Sequence, residues 1–234
     1  MIDQIRHRLT AYTPRLLENE GRNRAAVLVQ LYFDRGELHV VFTKRTDRVQ
    51  SHRGEVSFPG GAMDATDPDL TFTALREAQE EVGLDPAHVS VIGQIDDIVT
   101  ISDFHVSAYV GEIDPATSPY GWLPAEAEVA AMIEAPLSHL QDPANVVEVP
   151  RTRNGELVLQ EGIEFDGHII WGATFRMLRN FMDVVLTGGT DASDDLPSEG
   201  LPDPASFEDD MPPPIDSKVE GPTGGIRYDT RRVR

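Results

Sequence analysis

Arg76-Glu77-Ala78-Gln79-Glu80-Glu81-Val82-Gly83-Leu84 places three carboxylates at i, i+3 and i+4. On a helix these positions share one face, with Cβ atoms about 5–6 Å apart. Bare acids so arranged repel one another and destabilise the helix unless a cation sits over them. Mg²⁺ or Mn²⁺ fits best, because hard divalent ions take oxygen ligands. An ion held by few carboxylates keeps positions open for phosphate oxygens and water, which is the equipment for cutting a phosphoanhydride. The bland alternative is a solvated acidic face, since E-x-x-E-E runs are frequent on surface helices.

The flanking residues favour a metal site. Phe58-Pro59-Gly60-Gly61 stands upstream of the acidic run and Gly83 closes it. Paired glycines let backbone groups approach a ligand closely, so a carbonyl of the pair comes within reach of the same ion.

The stretch from Gly61 to Leu84 resembles the Nudix box, G-x5-E-x7-R-E-U-x-E-E-x-G-U with U aliphatic. Arg76, Glu77, Glu80, Glu81, Gly83 and Leu84 match in register, and Ala78 fills the U slot. The box's first glutamate falls on Asp67, and eight residues rather than seven separate it from Arg76. A front end of this kind looks like the family branch that hydrolyses coenzyme A. That branch's second motif runs L-L-T-x-R-S/A-x3-R-x3-G-x3-F-P-G-G. Thr43, Arg45, Gly54 and the F-P-G-G align with it; Thr46 replaces Ser or Ala, and Gln50 replaces an arginine. A guanidinium forks onto phosphate with a permanent charge, whereas an amide does not. His52 and Arg53 lie close enough in sequence to compensate. Gly167 to Thr174 also looks like the end of that branch's domain, and the resemblance covers about residues 24 to 186.

The resemblance implies a metal-dependent diphosphatase for a nucleotide diphosphate, best guessed as coenzyme A or acyl-CoA, releasing phosphopantetheine and adenosine 3′,5′-bisphosphate. ADP-ribose, a dinucleoside polyphosphate or an oxidised nucleotide stays open because of Gln50. A nucleotide-binding sensor without turnover is the other class, although sensors typically lose glutamates of the box. Glu77 and Glu81 are expected metal ligands. Glu80 is a third ligand or the base that deprotonates the attacking water, with Glu77 a further catalytic candidate. Gly61 is expected to offer a metal-binding carbonyl. Arg45, His52, Arg53, Gly60 and Arg76 are the expected substrate contacts, Arg76 also orienting a neighbouring glutamate. Asp96, Asp97 and Asp103 lie near strand ends and could supply another acid. No covalent intermediate is expected, because no Ser, Cys or His constellation accompanies the box. Dimers are common for this fold, so a homodimer is among the expected states.

Composition bounds the alternatives. The chain has 234 residues, 40% hydrophobic content, no cysteine and a formal net charge of −20. The charge argues against nucleic acid as a partner, since phosphate contacts need basic patches, and against anionic membranes. Without cysteine there is no disulfide or thiolate chemistry. No apolar run approaches the roughly 18 residues of a membrane span, and the N-terminus lacks a secretory h-region. A cytoplasmic enzyme is the expectation.

Periodicity orders the elements. Ile2, Ile5 and Leu9 predict an N-terminal helix. Ala25–Phe33 and Leu38–Thr43 read as a hairpin about Asp34-Arg35-Gly36-Glu37, and Gly54–Phe58 as a short strand. Asp67-Pro68 predicts the start of the acidic helix, Asp as N-cap and Pro at N1, with Gly83 ending it. Phe72, Leu75 and Val82 mark its expected buried stripe. Val89–Ile95, His105–Ile113 and Glu128–Glu134 read as strands, and Pro136–Leu140 as a short helix. A second hairpin surrounds Asn154-Gly155, and Ile170–Leu186 is an amphipathic helix. Strands mixed with few helices suggest an α+β layering. The resemblance sharpens this to an α/β/α sandwich, the Nudix fold, with a central mixed β-sheet between helices. Three regions are expected: a helical extension over 1–23, the Nudix domain over 24–187, and an acidic tail over 188–234. From Asp191 to Glu220 there are ten acidic residues, one lysine and six prolines, a composition that predicts disorder. The basic run from Arg227 to Arg234 follows.

Overall fold

A computed structural model describes residues 1–46, 54–153 and 156–188, with the side chains of Arg153 and Glu156 outside that description. The Asn154-Gly155 turn and the whole expected tail beyond Gly188 also lie outside the described residues.

Helix α1 (Ile2–Ala11) leads to β1 (Asn23–Asp34) and β2 (Glu37–Arg45). Arg35 and Gly36 take φ of 49° and 86° at the turn between them, the positive pair that suits a two-residue hairpin. Next come β3 (Val56–Ser57), β4 (Gly60–Ala62) and the acidic helix α2 (Leu70–Val82). Strands β5 (Val89–Gln94), β6 (Ile98–Val99), β7 (Phe104–Ile113) and β8 (Val129–Pro136) follow, then α3 (Leu137–Leu140). Strands β9 (Val146–Arg153), β10 (Glu156–Phe165) and β11 (His168–Trp171) precede α4 (Gly172–Thr187).

Eight strands form one sheet in the order β3-β2-β1-β7-β5, with β4 on β1, β6 on β7 and β8 on β2. β1 and β7 run parallel, from Asn23 opposite Phe104 to Leu31 opposite Glu112, while the other pairs are antiparallel. The sheet is therefore mixed. Alternation along β1 supplies both faces. Ala26, Leu28 and Tyr32 pack under Leu70, Ala74, Ala78 and Val82 of α2. Ala25, Val29 and Leu31 face the opposite core with Ile5 and Leu9 of α1 and Phe175, Leu178 and Phe181 of α4. Helices thus cover both faces, the layered architecture the sequence suggested.

Four local expectations change. Helix α2 begins at Leu70, not at Pro68: Asp69 is its N-cap, accepting from Phe72 N at 2.8 Å. Asp67 is held instead by Arg76, as described below. Phe72 is exposed and Leu75 half-buried; the buried stripe is Leu70, Ala74, Ala78 and Val82, with Thr73 and Glu81 on its flank. The last helix starts at Gly172, not Ile170, because His168–Trp171 pairs antiparallel with β10. The missed turn is Asp166-Gly167, with φ of 50° and 76°. The second hairpin thereby becomes a three-stranded sheet. Among the described residues no helix is long and apolar enough to cross a membrane.

Candidate active site

Helix α2 lies against β1 and β4 through Ala74 and Ala78, both fully buried. Small residues there allow the close approach that sets Glu77 against the glycine pair. A methyl group added to Gly61 would fall 2.5 Å from the carboxyl carbon of Glu77, so the bare Cα is what leaves room for that carboxylate. Gly60 has the same constraint on its other side, where a Cβ would meet the Ala26 carbonyl oxygen at 2.4 Å. Ala26 and Gly61 face each other in the ladder, between the bonds from Leu28 N to the Pro59 carbonyl and from Met63 N to the Arg24 carbonyl. That spacing makes them a hydrogen-bonded pair, so the Gly61 carbonyl is directed toward β1.

Glu81 is buried, at 4% exposure, beside this pair. Its Oε2 accepts from Gly60 N at 3.3 Å, and Oε1 lies 3.6 Å from Arg45 Nη1. Burial pushes its carboxyl up to about 7; Glu77 and Glu128 push the same way, against Arg45 and the Gly60 amide. Burial also raises Glu77, with Glu80 and Glu128 adding and Arg76 opposing. Two desolvated carboxylates one helical turn apart are thus poorly compensated by the protein.

Arg76 organises the outer side of the site. Nε and Nη2 bond Asp67 Oδ1 and Oδ2 at 3.0 and 2.9 Å. Nη1 donates to Glu77 Oε1 at 2.8 Å and Glu80 Oε2 at 3.0 Å, and Nη2 also to the Ala62 carbonyl at 3.2 Å. All five guanidinium donors are engaged, leaving none for a phosphate in this arrangement. Asp67 also accepts from Asp64 N and Thr73 Oγ1. The hydrogen bonds from Arg76 lead in holding its carboxyl well below the usual range. The acid that opens the box therefore clamps the arginine that aims Glu77. Glu80 is largely exposed and leans on Arg76, away from the buried pair.

The structure brings Glu77, Glu81, Gly60, Gly61 and Arg45 together. His52 and Arg53 lie outside the described residues. Asp96 and Asp97 are structural: Asp96 Oδ1 accepts from Tyr12 Oη and Arg15 N, and Asp97 from Leu17 N, Gln94, His105 and Ser107. Asp103 pairs with Arg22. Glu128, read only as the start of a strand, stands near enough to raise both Glu77 and Glu81. It arrives through the pairing of β8 with β2, where Thr46 N bonds the Glu128 carbonyl. No local sequence signal reports that pairing.

Among the described residues no three carboxylate or histidine side chains already form a closed metal shell. The donor set still fits Mg²⁺ or Mn²⁺, since Mg²⁺ is usually bound by one or two carboxylates with water and substrate phosphates completing its shell. Glu77 and Glu81 are two such carboxylates, and a cation would relieve the burial that raises both.

This geometry agrees with the comparisons to known proteins. The NUDIX domain model matches residues 21–145. The chain belongs to the Nudix family and is a hydrolase of phosphoanhydride bonds in nucleoside diphosphate substrates. Over 181 residues it is 34% identical to a protein of Salmonella paratyphi B described as the uncharacterized Nudix hydrolase NudL, covering 76% of this chain and 91% of that one. The NudL protein of Salmonella typhimurium matches to the same extent. Among solved structures, the Nudix hydrolase RenU of M. smegmatis aligns with a TM-score of 0.42 and 21% identity, over 51% of this chain and 73% of that one. Nudix hydrolases generally need a divalent ion such as Mg²⁺ or Mn²⁺.

Proposed function

We propose that the chain hydrolyses the diphosphate of coenzyme A or an acyl-CoA, giving phosphopantetheine and adenosine 3′,5′-bisphosphate. The observation that carries this reading is the position of the second motif. Thr43 pairs with Ser57 across β2 and β3, and Gly54 N bonds the Arg45 carbonyl. The motif therefore folds back on itself and delivers Arg45 to within 3.6 Å of Glu81 and Phe58-Pro59 into the glycine pair.

Glu77 and Glu81 would hold the divalent ion, which when bound supplies Lewis acidity to the phosphoryl oxygens and a more acidic water. Glu80 or Glu128 accepts the proton of the attacking water, and the leaving phosphate departs without a covalent enzyme intermediate. Arg45 neutralises a non-bridging phosphate oxygen, and its buried Nε has no partner among the described residues. The Gly60 amide donates to Glu81 and holds that carboxylate at the same place. Asp67 and Arg76 position Glu77. His52 and Arg53 are proposed to contact substrate.

A panel of coenzyme A, acyl-CoA, ADP-ribose, dinucleoside polyphosphates and nucleoside triphosphates, assayed with Mg²⁺ and Mn²⁺ by mass spectrometry, tests the substrate. Phosphopantetheine and the bisphosphate should dominate. Faster release of AMP from ADP-ribose would replace the coenzyme A reading. Glu81→Gln should lose several orders of magnitude in kcat while keeping its fold.

A further inference from the structure

Helix α4 presents two stripes. Leu178, Phe181 and Val185 belong to the core. Phe175, Arg179, Met182, Asp183 and Leu186 follow at i, i+4, i+7, i+8 and i+11, the spacing of a second helix face. This second face is one wall of a groove of about 280 Å³. The other wall comes from Leu140 and Pro143 and from Val146 of β9 and Ile163 of β10, which pair across the ladder. Ile163 and Phe175, both buried, give the groove an apolar base. Val146 and Leu186, on the two walls, are 40% and 45% exposed.

The charge of the groove is one-sided. Three acids line it, Asp142, Glu161 and Asp183, against one arginine. Arg179 Nη1 is taken by Glu161 at 2.8 Å. Asp142 Oδ1 accepts from Ala144 N at 2.9 Å, a bond that brings no cation. The Asp183 carboxylate has no hydrogen bond or ion pair among the described residues. The volume falls below the roughly 300–1,000 Å³ of small-molecule clefts, so a few side chains of a peptide suit it better than a cofactor. Apolar walls with uncompensated acids call for a peptide that is both apolar and basic.

The chain itself carries such a segment. Residues 226–234 read Ile-Arg-Tyr-Asp-Thr-Arg-Arg-Val-Arg, with four arginines and one aspartate among Ile226, Tyr228 and Val233. Thirty-seven residues join this segment to Gly188, which directly follows α4. Fully extended they span about 120 Å, against about 17 Å from Phe175 to Leu186 along the helix. The chain also leaves the domain at the end of the groove, because Leu186 stands just before Gly188. We propose that residues 226–234 dock in this groove within the same chain. Their apolar side chains cover Val146, Met182 and Leu186, and their arginines face Asp142 and Asp183. The tether makes the contact intramolecular, which raises its effective concentration. None of the groove residues belongs to the diphosphate site, so docking neither blocks nor completes that site.

The sequence has no cysteine, so a pair of introduced thiols reports on the full chain. Val146→Cys with Val233→Cys puts one thiol in the groove and one in the segment. Ile101→Cys with Val233→Cys is the reference, since Ile101 is 41% exposed against 40% for Val146. In oxidised glutathione the groove pair should close an intrachain disulfide about tenfold faster than the reference, the scale of one charge-assisted contact. Leu186→Cys in place of Val146→Cys should give the same advantage, which guards against a fold disturbed at β9. Arg231→Glu combined with Arg232→Glu should bring the ratio near one. Asp183→Lys should lower it in part, as should about 1 M salt, which shortens the screening length to about 3 Å. Equal rates for groove and reference overturn the docking, and so does a ratio indifferent to the arginines. A segment held by the acidic run from Asp191 to Glu220 would give equal rates. Disulfide-linked dimers in place of closed monomers on non-reducing gels would assign the groove to a second copy and overturn the intrachain contact.

Discussion

Glu81 is the residue at which burial and chemistry pull in opposite directions. Its carboxyl is raised from the ordinary 4.5 to about 7. In the metal-free protein the folded state therefore keeps a proton that the unfolded chain releases between about pH 4.5 and 7. Stability must fall as pH rises through that window, by up to about 3 kcal/mol at 1.36 kcal/mol per pKa unit. Urea titrations in a chelator at pH 5 and pH 8 should show the fall, Glu81→Gln should abolish most of it, and Mg²⁺ should offset it at pH 8. Asp67 behaves oppositely: its depressed pKa stabilises the fold above the ordinary range and is lost on acidification. Asp67→Ala should also cost about 10- to 100-fold in metal affinity or activity, the usual effect of removing an outer partner of the proposed ligand Glu77. A metal titration followed by activity would check this.

Helix α2 is best understood through its two ends. Asp69 caps the first turn, and Gly83 closes the last at φ 71° with Leu123 against it. Asp69→Ala should lower stability by about 1 kcal/mol yet leave the Asp67–Arg76 clamp in place, so activity at saturating metal should fall far less than in Asp67→Ala. This pair of variants separates the residue that starts the helix from the one proposed to serve its chemistry. From sequence alone, Asp67-Pro68 fits an N-cap followed by Pro at N1 just as well. The difference lies in Arg76, nine residues on, which a local reading cannot place. Gly83, the glycine pair and the strands β1, β2, β5 and β7 were legible because their signals are local: turn residues and alternating or helical periodicity. The burial of Glu81 and the arrival of Glu128 depend on tertiary pairings that no single segment encodes. The Asp166-Gly167 turn was an available signal, and reading it would have moved the start of α4.

At the scale of the molecule, the helix before β1 packs into the core. Ile5 and Leu9 are buried, and Arg6 forms a two-pronged ion pair with Glu112 at 2.7 Å. Leu9→Ala should cost about 2–5 kcal/mol in denaturant unfolding, and a chain lacking residues 1–22 should lose its cooperative transition. We propose that the domain ends at Gly188, so a chain stopping there should keep that transition. The parallel pairing of β1 with β7 joins residues some eighty positions apart, and the acidic helix lies in the chain between them. Closing so long a loop costs entropy before any contact rewards it, which puts folding toward the slow, millisecond-to-second regime. On a ribosome the nascent enzyme must therefore wait for Ile113 to emerge before β1 gains its parallel neighbour, and until then β1 is a bare apolar ribbon that a chaperone could seize.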